Sequence, residues 1–276
     1  MEKKLLLNGK SIKRGKKAEV PKKAEPMLWD LYALVYDQVM RRSAPYRQLV
    51  QEVCRLMELP AGGRLLDAGC GTGNCLEQAA RWPEVQAVGM DSSQAMLKRA
   101  VNKLKESDNT VLQAGDLDQP LPFEEGVFDV VVCVNALYST KNPFFTLLQL
   151  NRVLTEGGRL VLVTPPEKLR MLPLFREQVR KFQQKYPRWW PLFFGGDLFC
   201  LLPYMPLFLG INHLIKGSKD FHFFSREGLG AIARRAGFEV EQLKETYAGQ
   251  GWLLVGKAIK GRSAGSEAEK RLNLQS

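Results

Sequence analysis

The stretch that decides the fold of this 276-residue chain is Leu65-Leu66-Asp67-Ala68-Gly69-Cys70-Gly71-Thr72-Gly73-Asn74. It begins with apolar residues and an aspartate, which is typical of a short buried strand, and continues with three glycines at alternate positions. Glycine adopts backbone conformations that side chains forbid, and its missing side chain lets a ligand lie against backbone N–H groups. The stretch therefore predicts a strand, a tight turn and a helix, with a small-molecule cofactor bound at the turn.

The charge of Asp67 discriminates between the cofactors that such a turn can bind. The dinucleotide-binding version of the turn has a glycine where this chain has Asn74, and it presents a helix N-terminus to a pyrophosphate. A carboxylate at the strand end repels phosphate and suits a cation. S-adenosylmethionine carries a sulfonium and an ammonium and no phosphate, so these residues favour S-adenosylmethionine over NAD.

Two further carboxylates follow strand-like segments. Asp91, followed by Ser92, ends the second segment, where its two oxygens can bind both hydroxyls of a ribose. Asp116, between Gly115 and Leu117, follows the third segment, where a carboxylate can accept a hydrogen bond from an adenine amino group. Both positions fit the adenosine half of the same cofactor.

Strand-like and helix-like segments alternate along the rest of the chain. This alternation predicts an α/β fold, a Rossmann-like sheet of seven strands with helices on both faces. The expected strands span residues 64–68, 85–90, 110–113, 127–134, 159–163, 238–244 and 252–258, and the expected helices residues 28–40, 45–59, 74–81, 93–104, 143–154, 168–185 and 226–236. The alternation stops after Pro165-Pro166 and resumes at Ser225, a predicted helix N-cap.

At these residues the chain resembles the class I S-adenosylmethionine-dependent methyltransferases, particularly the branch that contains the ubiquinone and menaquinone biosynthesis methyltransferases. The resemblance covers roughly residues 30–166 and 223–258. It implies that the glycine turn binds the methionine end of the cofactor, that the loop from Asn135 to Tyr138 faces the methyl group, and that Tyr32, Tyr36 and Asp37 close over the cofactor. The cofactor-binding residues are then Asp67, Gly69, Cys70, Gly71, Gly73, Asp91, Ser92, Met96, Asp116, Leu117, Asn135 and Tyr36.

The interruption of the alternation divides the chain into four parts. We expect a basic disordered tail over residues 1–26, a methyltransferase domain over 27–166 and 223–258, an apolar, aromatic lid over 167–222 and a flexible tail over 259–276. Within the lid, residues 189–215 have the length of a transmembrane span, but three prolines and a Gly-Gly pair break the helix that lipid requires. A lid over the acceptor pocket and an interfacial membrane-docking surface both stay open.

The net charge of +11 lies mainly in the two tails. Residues 1–26 and 257–276 hold nine and five Lys or Arg against three and two Glu, which leaves about +2 for the rest of the chain. Nucleic-acid-binding domains carry basic charge on their folded surface, so nucleic acid is disfavoured, whereas an anionic membrane surface fits the tails. The five cysteines include no Cys-x-x-Cys pair, so neither disulfides nor a metal site is expected. The expected location is cytoplasmic, and membrane association stays open.

The apolar insertion predicts a small, apolar acceptor such as a quinone precursor or a lipid. In-line transfer from a sulfonium depends mainly on alignment in a dry pocket, so no catalytic triad is expected. For a phenol or hydroxyl acceptor a general base helps, and the candidates are His213, Tyr138 and Tyr204. Two alternatives stay open: an RNA or protein methyltransferase, which requires a basic stripe beside the methyl site, and a non-catalytic cofactor-binding protein of the same fold. The oligomeric state is also open.

Overall fold

The computed structural model describes residues 6–7, 10–11, 27–167 and 171–260. Most of the two predicted tails lies outside these residues. Within them, the short strands Leu6–Leu7 and Lys10–Ser11 pair antiparallel inside the segment for which we expected no order. At the other end, the Ile259 N–H donates a hydrogen bond of 2.9 Å to the Gly237 carbonyl, so the start of the predicted flexible tail is tied to the domain.

A seven-stranded sheet in the order β3-β2-β1-β4-β5-β7-β6 forms the centre of the described chain. Its strands are β1 Arg64–Ala68, β2 Gln86–Asp91, β3 Thr110–Ala114, β4 Phe128–Val134, β5 Leu154–Thr164, β6 Phe238–Thr246 and β7 Gly251–Ala258. The first five pair in parallel, and β7 runs antiparallel to both β5 and β6. The predicted Rossmann-like sheet is confirmed.

Apolar side chains fill both faces of this sheet. Along β4, Val130 and Val132 belong to one core cluster while Val131 and Cys133 belong to the other, because alternate residues of a strand point to opposite faces. The helices that cover the faces or border the site are α1 Met27–Met40, α2 Ala44–Leu56, α3 Asn74–Ala79, α4 Gln94–Lys103, α5 Pro143–Val153, α6 Met171–Lys185, α7 Trp190–Leu201, α8 Met205–Gly217 and α9 Arg226–Arg235.

Side-chain caps set where several of these helices begin. The hydroxyl of Ser43 accepts from the Tyr46 N–H at the start of α2, and that of Ser93 accepts from the Met96 N–H at the start of α4. Ser225, the predicted cap, accepts from the Gly228 N–H at 3.0 Å and begins α9. Each hydroxyl satisfies a backbone donor that has no partner within its own helix.

The start of β5 is the main boundary that we predicted wrongly. The strand begins at Leu154 and not at residue 159, and its register against β4 shifts between the pairs Phe128–Leu154 and Val130–Arg159. Gly157, with φ of 68°, adopts the left-handed conformation within this irregular section. A Gly-Gly pair predicts a turn, yet here it lies inside a bulged strand because the flanking residues pair with β4.

Two of the three prolines in residues 189–215 begin helices, and Pro203 lies in the turn between α7 and α8. Pro191 and Pro206 lie in the first turns of α7 and α8, where a missing N–H leaves no intrahelical hydrogen bond unmade. Among the described residues, no single helix is long and apolar enough to cross a membrane. Only α7 and α8 together meet that length and composition, and they are bent by 71°.

Candidate functional site

A cavity of about 880 Å³ opens at the carboxyl ends of the first four strands. The final residues or their neighbours in those strands, Asp67, Asp91, Ala114 and Val134, all line it. Ligands of open α/β sheets bind at this edge, where the strand order reverses beside β1. Of the predicted cofactor-binding residues, the structure brings together Tyr36, Asp67, Gly69, Cys70, Gly71, Asp91, Ser92, Met96, Asp116, Leu117 and Asn135.

Gly73 is the predicted cofactor residue that does not line the cavity. Its φ is 77°, it forms the N-cap of α3, and an added Cβ would come within 3.2 Å of the Ala100 side chain. Gly69 also has positive φ, 76°, and a Cβ there would collide with Ala136. Gly71, with φ of 53°, has open space where a Cβ would point. Gly69 and Gly71 therefore line the cavity, whereas Gly73 serves the packing of α3 against α4.

Asp67 is a buried carboxyl in the cavity wall. Its side chain is 2% exposed, and among the described residues no donor is hydrogen-bonded to it. Burial, together with the smaller effect of the neighbouring Asp91, raises the pKa of Asp67 to about 8. A carboxylate in this setting is stabilised by a cation, because a nearby positive charge offsets the loss of water. The site at Asp67 therefore fits an ammonium group.

Asp91 is held in one orientation by two backbone donors. The Gly71 N–H donates to its Oδ2 at 2.8 Å, and the Ser93 N–H donates to its Oδ1 at 2.8 Å. Burial raises the pKa of Asp91, and these hydrogen bonds partly oppose the rise. Each oxygen keeps a second lone pair, so the carboxylate can accept from both hydroxyls of a ribose.

Helix α1 contributes an acid that the sequence did not single out. Asp30 lines the cavity, and its Oδ1 accepts from the Ser93 hydroxyl at 2.6 Å and from the Ala95 N–H at 3.3 Å. This carboxylate therefore fastens α1 to the N-terminus of α4, where negative charge is favourable. The helical periodicity of α1 predicted the helix, but no local signal showed that it crosses the sheet edge. The cavity residues that we missed in this region also include Trp29, Tyr46, Asn74 and Gln94.

A second fastening lies beneath the glycine turn, where a buried lysine joins three elements. Lys103 on α4 contacts Asp37 on α1 at 3.2 Å and donates to the Asn74 Oδ1 at 2.6 Å. The hydroxyl of Thr72 donates to the same aspartate at 2.6 Å. Burial lowers the pKa of Lys103, while Asp37 opposes this change. Asp37, predicted to close over the cofactor, thus holds α1 against the glycine turn and does not line the cavity.

Two tyrosines meet in the cavity wall above this network. The hydroxyls of Tyr36 on α1 and Tyr46 on α2 are 3.2 Å apart, and the Asn74 amide donates to the Tyr46 oxygen at 3.3 Å. Burial raises the pKa of both phenols, so both stay protonated near neutral pH. They can orient a ligand through hydrogen bonds, but they are poor proton acceptors.

The loop after β4 presents a residue with unusual backbone geometry. Asn135 has φ of 52°, which few residues other than glycine and asparagine adopt, and its N–H donates to the Val163 carbonyl at 2.8 Å. Asn135 and Ala136 both line the cavity, as the predicted methyl-facing loop requires. Strained backbone of this kind is often found at functional sites.

None of the three candidate general bases lines the cavity. Tyr138 is buried and packs against Phe221 and Phe223, with ring centroids 5.6 and 5.9 Å away, and burial raises its pKa. Tyr204 packs at the edge of the same apolar cluster, and His213 is exposed on α8. These positions correct our expectation, because α1 lies between the cavity and α8.

Of the predicted lid, the described residues 167 and 171–222 supply none of the residues that line the cavity. Its helix α8 instead packs Ile211 and Ile215 against Tyr32, Ala33 and Val35 of α1. Apolar composition indicated burial against the domain, but it carried no information about which layer the segment would contact. The insertion supports a wall of the cavity from behind and does not form that wall.

Comparison with protein families agrees with this geometry. A methyltransferase domain model matches residues 40–243, which is well over half of the chain. The chain belongs to the S-adenosylmethionine-dependent methyltransferases. This methyltransferase is 28% identical over 218 residues to demethylmenaquinone methyltransferase of Staphylococcus carnosus, covering 78% of this chain and 84% of the relative. Over 112 residues it is 36% identical to the ubiquinone/menaquinone biosynthesis C-methyltransferase of Syntrophotalea carbinolica, covering 40% of this chain and 46% of that relative.

A solved structure shares the fold at low sequence identity. The S-adenosylmethionine-dependent methyltransferase from Aquifex aeolicus superimposes with a TM-score of 0.56 at 15% identity, covering 86% of this chain and all of that one. The side chains of this methyltransferase fit its cofactor: Asp67 suits the ammonium, Asp91 the ribose and Asp116 with Leu117 the adenine. The buried Asp67 carboxyl, which has no hydrogen-bond donor among the described residues, is the observation that most directly indicates a cationic ligand.

Proposed function

We propose that this methyltransferase transfers its methyl group to a small, apolar acceptor of the quinone-precursor or lipid class. The observation that carries the proposal is the wall supplied by α1, α2 and α4, where Trp29, Tyr36, Tyr46 and Met96 line the cavity. Aromatic and thioether side chains bind flat or chain-like apolar groups well. A cavity with an apolar wall and a few fixed polar groups is typical of small-molecule sites.

The charges around the cavity support a small acceptor over a nucleic acid. Five aspartates line it: Asp30, Asp67, Asp91, Asp116 and Asp118. Lys141 is the one lysine or arginine among the described lining residues. A phosphate backbone requires the opposite balance of charge. The printed name of the Staphylococcus carnosus relative, demethylmenaquinone methyltransferase, further supports a quinone-type acceptor.

The described residues act by binding, orientation and exclusion of water. When bound, the cofactor would supply a methyl group on a positively charged sulfur: the acceptor bonds to the methyl carbon in line as the carbon–sulfur bond breaks and its electron pair stays on the sulfur. Asp67 and Asp91 would hold the two ends of the cofactor, while the phenols of Tyr36 and Tyr46 donate or accept hydrogen bonds at its edge. Most of the rate enhancement then comes from alignment in a dry site, which needs no general base.

We also propose that the enzyme works on the cytoplasmic side of an anionic membrane, where apolar quinone precursors and lipids partition. The basic residues of the tails support this location, because lysine and arginine are attracted to anionic headgroups. The location and the acceptor class are separate proposals, since an apolar acceptor can also reach the cavity from solution.

Transfer of a radiolabelled methyl group tests the acceptor class. The purified enzyme, labelled S-adenosylmethionine and cell extract are incubated together, and the label is then counted in organic-solvent, RNA and protein fractions. We expect label in the organic-solvent fraction with the wild type and about background label with Asp67→Asn. Label in the RNA or protein fraction would contradict the proposal. Cofactor binding without transfer to any fraction would favour a non-catalytic role.

A further inference from the structure

Helix α7 exposes a stripe of large apolar side chains. Leu192, Phe199 and Leu202 are 68%, 74% and 56% exposed, and helical spacing places them on one side of α7. No residue of this helix is buried. On α8, Leu207 and Leu214 are 37% and 61% exposed and share a face. The two consecutive helices thus present outward apolar surface of the kind that marks an interaction site.

The opposite sides of these helices are attached to the domain. Phe193 of α7 stacks on Tyr186 with ring centroids 4.2 Å apart, and Phe194 packs 5.4 Å from Phe182 of α6. On α8, the Asn212 amide donates to the Tyr32 hydroxyl of α1 at 3.0 Å. The exposed stripe is therefore an outer face of an anchored pair of helices, and not the surface of a loose segment.

Charge is distributed in a pattern that fits a lipid surface. Residues 189–215 contain no Lys or Arg and one acid, Asp197, whose carboxylate lies 3.5 Å from Arg42 on the domain side. Basic residues flank the apolar stretch on both sides: Lys185 and Arg188 precede it, and Lys216 and Lys219 follow it. Apolar side chains enter the acyl layer while flanking cations meet anionic headgroups. Trp189, 61% exposed beside Arg188, suits the headgroup boundary.

The dimensions favour a position along the surface over a crossing. Helix α7 has 12 residues and is about 18 Å long, against a hydrocarbon core of about 30 Å. The bend of 71° between α7 and α8 prevents the pair from acting as one straight span. A second copy of the chain is a poorer occupant, because self-pairing through this face would bring the basic flanks of two copies together.

We infer that the outer face of the α7–α8 pair inserts into one leaflet of a bilayer that contains anionic phospholipids. This inference deepens the membrane location proposed above and names the surface that makes the contact. It does not depend on the acceptor. Helix α8 packs on α1, and α1 lines the cavity. Docking through this face therefore places α1 one helix layer from the lipid.

A probe at Cys200 tests the inserted face. Cys200 lies on α7 and is exposed, whereas the other cysteines are buried, so a polarity-sensitive thiol fluorophore labels this position in the full-length chain. With vesicles of phosphatidylcholine and phosphatidylglycerol we expect a blue shift and quenching by lipid-attached nitroxide. The control Cys200→Ser with Val101→Cys places the probe on α4, where Val101 is 53% exposed, and should show neither effect. An unchanged Cys200 spectrum would overturn the inference.

A substitution distinguishes docking through the α7–α8 face from docking through the basic tails. Phe199→Asp should lower the partition coefficient on the same vesicles by at least about tenfold, since a charge replaces an aromatic side chain that the inference places in the acyl layer. Val101→Asp changes the charge equally and should leave partitioning within about twofold of the wild type. Wild-type partitioning of Phe199→Asp would assign docking to the tails and overturn the inference.

Two further measurements keep the outcomes distinct. Calorimetric titration with S-adenosylmethionine should give the wild-type affinity for Phe199→Asp, which shows that the variant is folded and that cofactor binding is independent of docking. Light scattering should give the same mass for both proteins. A drop in mass from dimer to monomer in Phe199→Asp, with vesicle binding unchanged, would assign the face to a second copy and refute lipid insertion. Failure of labelled methyl transfer to an apolar fraction would leave this result unaffected.

Discussion

The backbone N–H of Gly71 donates a hydrogen bond of 2.8 Å to the Oδ2 of Asp91, which joins the glycine turn after β1 to the acid at the end of β2. The contact links the two halves of the cofactor site through one atom pair. Gly71 can present this N–H because its φ of 53° is left-handed and no side chain lies between it and the cavity. The two parts of the site therefore move as a unit.

Replacement of Asp91 by Asn tests its predicted ribose contact. The amide keeps one acceptor oxygen but loses the other, so we expect the affinity for S-adenosylmethionine to fall about tenfold to a hundredfold. Isothermal titration calorimetry measures the change. Glu239→Gln, at an exposed position on β6, makes the same chemical change away from the cavity and should bind normally. Normal binding by Asp91→Asn would remove Asp91 from the cofactor site.

The raised pKa of Asp67 predicts a particular pH dependence of stability. In the unfolded chain an Asp ionises near pH 4, whereas burial raises the pKa of Asp67 to about 8 in the folded protein. The folded state then holds one more proton between these values, so Asp67 lowers the free energy of unfolding progressively as pH rises from about 4 to about 8. Above pH 8 this effect is constant.

Asp67→Asn should therefore stabilise the cofactor-free protein at pH 8 by up to roughly 5 kcal/mol while having little effect at pH 4. Urea unfolding at the two pH values measures the difference. The same variant should bind S-adenosylmethionine at least about tenfold more weakly, because the ammonium loses its counter-charge. A stability change that is equal at both pH values would contradict the raised pKa.

Lys103→Met should destabilise the protein strongly because it leaves Asp37 buried without its cation. The two side chains are 6% and 13% exposed, and breaking a buried pair from one side typically costs about 3–5 kcal/mol. The control is Arg180→Met, which breaks the exposed pair with Glu177 and should leave the stability nearly unchanged. The double variant Lys103→Met with Asp37→Leu should recover part of the loss. Equal unfolding midpoints for Lys103→Met and Arg180→Met would refute a stabilising role for the Lys103–Asp37 pair.

Substitution by alanine should destabilise the protein to different extents at two glycines of the turn. Gly69→Ala meets both a left-handed backbone and a collision with Ala136, whereas Gly71→Ala meets the backbone strain alone. We expect about 1–2 kcal/mol of destabilisation for Gly71→Ala and clearly more for Gly69→Ala, by thermal or urea unfolding. Ala136→Gly should relieve part of the Gly69→Ala defect and none of the Gly71→Ala defect. Rescue of both variants, or of neither, would show that the collision is not the cause.

The sequence predicted the features that local chemistry determines. Asp67, Gly69, Gly71 and Asp91 follow predicted strands directly, and carboxyl ends of parallel strands meet at one sheet edge, so their grouping followed from order along the chain. Confirmation of the seven-stranded sheet shows that this reasoning was sufficient for the fold.

The missed features depend on contacts between distant parts of the chain. Asp30 contacts Ser93, and Lys103 contacts Asp37, between α1 and α4. Hydrophobic periodicity predicts each helix but not which helices pack together. The apolar composition of the insertion predicted a lid over the acceptor pocket or a membrane-docking surface, but among the described residues it is α1 that lines the cavity. Apolar composition indicates that a surface is favourably buried, but it does not identify what the surface packs against.

Among the residues that the structure describes, those that line the cavity fall between Trp29 and Lys141, and the described residues after Lys141 support the site without lining it. This division bears on how related sequences can diverge. The proposed membrane-docking face lies between β5 and α9, so exchange of that segment among related genes would alter this face while preserving the residues that line the cofactor cavity. The two halves can diverge at different rates, and similarity in the first half alone identifies the donor without identifying where a relative works.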